Sequence, residues 1–333
     1  MSKPVTIALD AMGGDNGPSV CVPAALEMIA QNPRLNIILV GQEERITPLV
    51  PAGAKRVRVV DAREIVAMDE RVGDALRKKK DSSMRVSINL VKEQEADACV
   101  SAGNTGALMA TGKFVLKTLP GIDRPAIMAA IPTIEGHMHV LDVGANSNCT
   151  SEHLFQFAVM GSVVASVIEN IDNPRVALLN IGAEDIKGND TIRQAAAHLS
   201  ESNLNYIGFV EGDGISKHAA DVIVCDGFTG NVALKVMEGT AGLLSHFLKK
   251  GFGTGLYGRF SGLVALPVLS RLRQSLDPRQ YNGASLIGLT GIVVKSHGGA
   301  DQLAFQQAIR VAMLEVEKGV PDTIRRIMSE QED

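Results

Sequence analysis

The sequence predicts a three-layer α/β/α sandwich on a mainly parallel sheet, and three observations carry that prediction. Short β-branched apolar runs alternate with longer helical patterns from end to end. Several runs, Ile37-Ile38-Leu39-Val40 and Val222-Ile223-Val224 among them, are apolar on both faces, as strands covered by helices on both sides must be. Glycine is abundant at 33 residues, while aromatics make up 4% and tryptophan is absent. That composition suits tight strand–loop–helix turns better than a β-sandwich or a base-stacking surface.

Taken in order, strands are expected at 5–9, 36–40, 56–60, 98–101, 127–131, 139–142, 176–180, 205–209, 221–225 and 291–295. Helical patterns fall between them at 20–30, 86–94, 153–169 and 190–199. The rhythm breaks after Asn231. A helix is expected over 232–250, then a glycine-broken turn over 251–258, then the apolar run Leu263-Val264-Ala265-Leu266-Pro267-Val268-Leu269. Lys249, Lys250, Arg259, Arg271 and Arg273 flank that run. Segment 232–280 therefore reads as a projecting helical hairpin, and all 333 residues are assigned to one domain.

Net charge is −4, so no global positive field attracts nucleic acid, and no nucleic-acid partner is expected. Cys21, Cys99, Cys149 and Cys225 are dispersed without a C-x-x-C pair, which argues against a zinc site or disulfide framework. The opening apolar run is too short for a signal peptide, and no continuous apolar stretch reaches the ~18 residues of a membrane span. A reducing, cytoplasmic location is the expectation.

In parallel α/β sheets, ligands bind beyond the carboxyl ends of strands, where helix N-termini present free N–H groups. Six expected strand ends carry Gly beside Asn, Asp or Ser. The first brings Asp10, Gly13, Gly14 and Asp15, and the fourth brings Ser101, Gly103, Asn104, Thr105 and Gly106. The sixth brings Asp142, Gly144 and Asn146, the seventh Gly182, Glu184 and Lys187, the ninth Asp226, Gly227 and Asn231, and the last His297. Each loop alone is what any strand-to-helix turn prefers; six converging on one sheet edge would make an anion site. G-x-G-x-x-G, the P-loop and the G-x-S-x-G elbow are all missing. A small anion is the expected ligand, with no cofactor and no metal.

Several longer words carry more information: DAMGGD (10–15), RKKKDSSM (77–84), SAGNTGALMA (101–110), GIDRPA (121–126) and LDVGAN (141–146). QFAVMG (156–161), NPRVALLNIG (173–182), CDGFTGNVALK (225–235) and KSHG (295–298) complete the set. Together they resemble the phosphate acyltransferase (PlsX) family of bacterial phospholipid synthesis over nearly the whole chain. Departures are small: the family more often has Glu at Ala183 and Val-Asp at Ser147-Asn148. The resemblance implies a fold like that of isopropylmalate dehydrogenases and phosphotransacetylases, working as a homodimer. It implies transfer of a fatty acyl group from acyl carrier protein to inorganic phosphate. A membrane glycerol-3-phosphate acyltransferase would take the acyl phosphate onward.

Such a reaction needs no covalent enzyme intermediate, because phosphate is already a nucleophile and a thiolate leaves readily. It needs positioning, charge neutralisation and donors for an oxyanion. Asn104, Thr105, Lys187 and His297 are the catalytic candidates. Asp10, Asp15, Asp142 and Asp226 are expected to fix loops, while Gly13, Gly14, Ser101, Gly103, Gly106, Gly144, Asn146, Glu184, Gly227 and Asn231 line the substrate. Arg77, Lys78, Lys79, Lys80 and Arg85 form a positive patch for an acidic carrier protein. Region 256–273 is open to three uses: dimer packing, acyl shelter or peripheral bilayer contact. An acyl-CoA-dependent phosphotransacetylase, a dehydrogenase and a non-catalytic scaffold remain as alternatives.

Overall fold

A computed structural model describes residues 3–275 and 277–332, without the side chains of 272–275, 331 and 332. The side chain of Arg273, one of the basic flanks noted above, thus lies outside the described residues.

The described strands are β1 (Val5–Asp10), β2 (Leu35–Gly41), β3 (Val57–Asp61), β4 (Ala98–Ser101), β5 (Ala126–Thr133) and β6 (Gly136–Leu141). They continue as β7 (Val176–Leu179), β8 (Tyr206–Val210), β9 (Val222–Val224), β10 (Ala284–Ile287) and β11 (Ile292–Lys295). The helices begin with α1 (Pro18–Gln31), α2 (Glu43–Ile46), α3 (Val72–Lys78), α4 (Ser83–Lys92), α5 (Thr105–Leu116) and α6 (Ser151–Glu169). They end with α7 (Asp190–Ser200), α8 (Gly212–Ser216), α9 (Gly227–Gly253), α10 (Gly255–Ser275), α11 (Gln302–Lys318) and α12 (Val320–Glu332).

All strands join one sheet in the order β3-β2-β1-β4-β11-β10-β5-β6-β9-β7-β8. Pairing is parallel across β3-β2-β1-β4-β11 and again across β6-β9-β7-β8. It is antiparallel where β10 meets β11, where β10 meets β5, and where β5 meets β6. The two wings therefore run in opposite directions. The hairpin from β5 to β6 turns through Ile134 and Glu135 at Gly136, whose φ of 104° is accessible to glycine at little cost. Strand β10 was not expected. Its four residues sit between Gly283 and Gly288, both with positive φ, and are too short to show a period.

Helices cover both faces, as the doubly apolar strands require. One face carries α3, α4, α5, α8 and the start of α9 over a core that includes Ala8, Cys99, Val140, Ile223 and Val293. The other carries α1 and α11 on one wing, and α6, α7 and α12 on the other. Among the described residues, α6 alone has the length and apolarity of a membrane span. Phe157, Ala158, Val159 and Met160 are nevertheless fully buried, which marks it as a core helix.

One acid sits inside this core. Glu315 of α11 is 4% exposed and accepts a 3.0 Å hydrogen bond from Ser285 Oγ. Burial pushes its carboxyl up to about 7. A folded-state pKa above the unfolded value favours the native state at low pH, and that benefit is lost as pH rises through 7. Between pH 5 and 8 the wild-type chain should lose stability on the order of 3 kcal/mol that Glu315→Gln retains. Thermal melts of both proteins at the two pH values measure the difference.

Candidate functional site

Opposed wings decide where the six Gly-rich strand ends go. They do not meet at one edge. The ends of β1, β4 and β11 lie side by side, and those of β6, β9 and β7 face them across β10 and β5: Val294 is level with Ser285, Ser285 with Met128, and Met128 with Leu141. The strand ends thus approach from two opposed wings rather than along a single edge, because the β5–β6 hairpin reverses the chain, which strand patterns alone do not reveal.

The two groups nevertheless share a face. Asp10 pairs in register with Ser101, and Ser101 with Lys295. With a period of two, these three project on the side of Ala8, Cys99 and Val293, the side that Val140 and Val143 also line. Helix α9 links the groups. It starts beside Asp142, packs Ala233, Leu234 and Met237 on the shared core, and brings Lys235 close enough to depress the Lys295 ammonium. A hollow of about 820 Å³ around Glu43, Asp61 and Arg63 contains none of the six loops.

In the first group, buried Asp10 accepts a hydrogen bond of 2.6 Å from Ser101 Oγ, which itself accepts one of 3.0 Å from Gly103 N. Burial raises the Asp10 carboxyl despite these donors. A Cβ at Gly13 would lie 2.6 Å from Asp10 Oδ2, and one at Gly14 would lie 2.7 Å from Gly298 O. Both positions therefore need glycine. Asp15 N donates to Gly298 O at 2.9 Å, closing the loops of β1 and β11 on each other. His297 is exposed, with Nδ1 accepting from Gly299 N at 3.2 Å.

Asn104 has a different place from the one expected. Its Oδ1 accepts from Ala107 N at 3.0 Å, capping α5, and its Nδ2 donates to Met68 O at 2.7 Å and to Glu70 O at 3.2 Å. The amide thus ties α5 to the preceding segment. Thr105 and Gly106 belong to the first turn of α5, and the Thr105 hydroxyl has no partner among the described residues.

Lys295 was missed. It is 9% exposed, and its Nζ donates to Ala102 O at 3.3 Å and to Ser296 O. Burial lowers it to about 8, against the pull of Asp10. A charge ending the apolar run Ile292-Val293-Val294 was the available signal.

The second group is built around Asp142, which is fully buried. Oδ1 accepts from Ile127 N, Gly144 N and Ala145 N at 3.1, 3.1 and 2.9 Å. Oδ2 accepts from Asn146 N and Asn146 Nδ2 at 2.7 and 2.9 Å. Gly227 N donates to Asn146 O at 2.7 Å, and a Cβ at Gly230 would lie 1.9 Å from Asp142 O. Asp226 caps α9 through Thr229 N at 2.9 Å, so 227–231 is helix where a loop was expected. Asn231 lies against Gly144, 3.7 Å from where a Cβ there would sit. Its amide has no partner among the described residues, and neither does the Lys187 ammonium in the β7 loop beside Glu184.

The basic patch is only partly free. Lys79 is held by Glu70 at 2.7 Å and by Ile65 O, and Arg85 lies 4.9 Å over the Phe114 ring with its Nε buried. Arg77, Lys78 and Lys80 are exposed, Lys78 beside Asp74 at 2.8 Å.

Substituting Asp142 by Ala should strand several N–H donors and destabilise the fold by roughly 3–5 kcal/mol. A denaturant melt should show it, whereas Asn104→Ala should cost only about 1–2 kcal/mol as a lost cap.

Comparison with known proteins supplies the chemistry's family. A family model described as "Fatty acid synthesis protein" matches residues 5–323. A phosphate acyltransferase from Alkalilimnicola ehrlichii is 62% identical over 97% of this chain and 96% of its own length. Another, from Methylococcus capsulatus, is 57% identical over 98% and 97%. A crystal structure of a phosphotransacetylase from Streptococcus pyogenes shares the fold, with a TM-score of 0.64, 18% identity and 94% of each chain covered. The chain therefore belongs to the phosphate acyltransferase family of acyl-transferring enzymes.

Proposed function

We propose that the chain transfers a fatty acyl group from acyl carrier protein to inorganic phosphate at the α9 face of the sheet. One observation carries this reading. In the second group the Asp142 and Asp226 carboxylates and the Asn146 amide are spent on holding the loops, whereas the Lys187 ammonium and the Asn231 amide have no hydrogen-bond partner among the described residues. Unspent donors beside a rigid, glycine-lined turn are what a phosphate site requires.

In this reading Lys187 neutralises phosphate, and Asn231 with the Gly144 main chain orients it. A phosphate oxygen attacks the thioester carbonyl carbon, giving a tetrahedral oxyanion. Collapse breaks the C–S bond, and the carrier's thiolate leaves and takes up a proton. Thr105, His297 and Lys295 are assigned in this reading to the thioester end. Asn104 then acts by positioning α5.

An assay of phosphate-dependent acyl phosphate formation from a long-chain acyl carrier protein tests the proposal, and absence of product sinks it. Lys187→Ala and Asn231→Ala should each lower kcat/KM by about 10²–10³-fold with melting temperature unchanged. Replacing Lys78 and Lys80 by Glu should raise KM for acyl carrier protein about tenfold, leave kcat alone, and leave acyl-CoA turnover untouched.

The hairpin supports a further part of the reading. Phe247, Leu256, Phe260, Leu263, Val264 and Leu266 are all more than half exposed, a cost few surfaces bear without a partner. We propose that α9 and α10 pair with those of a second copy and rest at an anionic bilayer, giving a peripheral association. Replacing Leu263 and Leu266 by Glu should abolish co-sedimentation with anionic liposomes, and unchanged sedimentation would remove this part.

A further inference from the structure

We infer that His137, His139 and Glu169 form a binding site for a divalent transition-metal ion, with Zn²⁺ the best fit. It lies apart from all six loops and reverses the sequence-based expectation that the chain takes no metal. His137 and His139 occupy alternate positions of β6, so both leave the sheet on one side, away from Met138 and Val140. That side faces α6, whose last residue is Glu169.

The geometry is close to what a cation needs. Glu169 Oε1 stands 3.0 Å from His137 Nε2 and 3.2 Å from His139 Nε2, and all three donor atoms lie within 4.8 Å of one another. A tetrahedral zinc ion with bonds of about 2.0–2.1 Å separates its ligands by roughly 3.4 Å. Small rotations of these side chains would therefore seat the ion. Two imidazoles and a carboxylate form a borderline donor set that suits zinc and its first-row neighbours rather than Mg²⁺ or Ca²⁺.

Access and rigidity both fit. The His139 side chain is 8% exposed and fixed in the β5–β6 and β6–β9 ladders, while those of His137 and Glu169 are 34% and 29% exposed. The open side leaves room for a water as fourth ligand. The Tyr281 ring lies tilted at 53° with its centroid 6.2 Å from that of His137, and the Lys318 ammonium nearby is engaged by Asn170 Oδ1 at 2.9 Å. With metal on Nε2, the proton of His139 moves to Nδ1, which is buried without a partner. That missing outer contact weakens the grip, so affinity should be on the order of micromolar rather than that of a closed four-ligand site. Such a bond would clip β6 to the end of α6, on the face opposite Val140.

Purified full-length chain, stripped with a chelator and titrated with Zn²⁺ by calorimetry, should bind one ion. At about 100 times Kd the melting temperature should rise by about 2–4 °C, and Mg²⁺ at the same concentration should do nothing. Co²⁺ should give the strong visible absorption of a four-coordinate site. His137→Ala and Glu169→Gln, both at partly exposed positions, should fold normally, lose the Co²⁺ spectrum, and bind Zn²⁺ at least tenfold more weakly. Lack of binding to the wild type, or binding that survives both substitutions, overturns the inference. Acyl phosphate formation by the metal-free chain separates this outcome from the proposal for the second group.

Discussion

Asp142 is the anchor on which the second wing's loops rest. A carboxylate with no solvent contact is costly unless donors surround it, and here main-chain and side-chain N–H groups supply that shell from Ile127, Gly144, Ala145 and Asn146. The result fixes the start of β5, the loop after β6 and, through Asn146 O, the first N–H of α9. Gly230 then lies directly on the Asp142 carbonyl, where any side chain would collide. One buried acid and two glycines thus set where α9 begins, and with it the positions of Asn231 and Lys235.

Because the two wings are staggered, with the end of β6 level with the end of β11, the reversal of the sheet does not separate the two loop groups. It assigns them different work. The first group is a knot of mutual hydrogen bonds among Asp10, Ser101, Gly103 and the β11 loop, with Lys295 desolvated beneath it. The second keeps its anchor buried and leaves its cation and amide uncommitted. Residues of similar type thus divide by whether their hydrogen-bonding capacity is already used, a distinction that burial and partners decide and residue identity does not.

Much of the sheet was legible because its strands are continuous apolar runs, a pattern that few other environments produce. β1 and β2 matched their expected cores with one residue added at the ends, as pairing extends strands past the apolar run. β10 was not legible, since four residues between glycines carry no period. Direction was not legible either: the turn at Gly136 reads the same whether the next strand pairs beside β5 or crosses over. The roles of Asn104, Lys79 and Arg85 depended on neighbours 9 to 36 residues away, which no local word reveals. The pairing of His137 and His139 with Glu169 spans 32 and 30 residues and was hidden for the same reason.

The hairpin poses the remaining physical question, because its exposed apolar face would not persist on a protein that kept it in water. Within α9 the change is gradual: Leu234 and Met237 pack against the core, while Leu243, Leu244 and Phe247 are exposed. A continuous helix therefore carries apolar surface from the sheet face outward to a tip where Leu256, Tyr257 and Phe260 face solvent. Basic residues Lys249, Lys250 and Arg259 accompany it. An acyl chain released at the α9 face would find its least costly path along that same surface, since every methylene kept out of water is worth about 0.8 kcal/mol. On this argument the hairpin is continuous with the proposed site, and under the proposed reaction the helix that places Asn231 beside Gly144 would also give a product too apolar for free solution a way out.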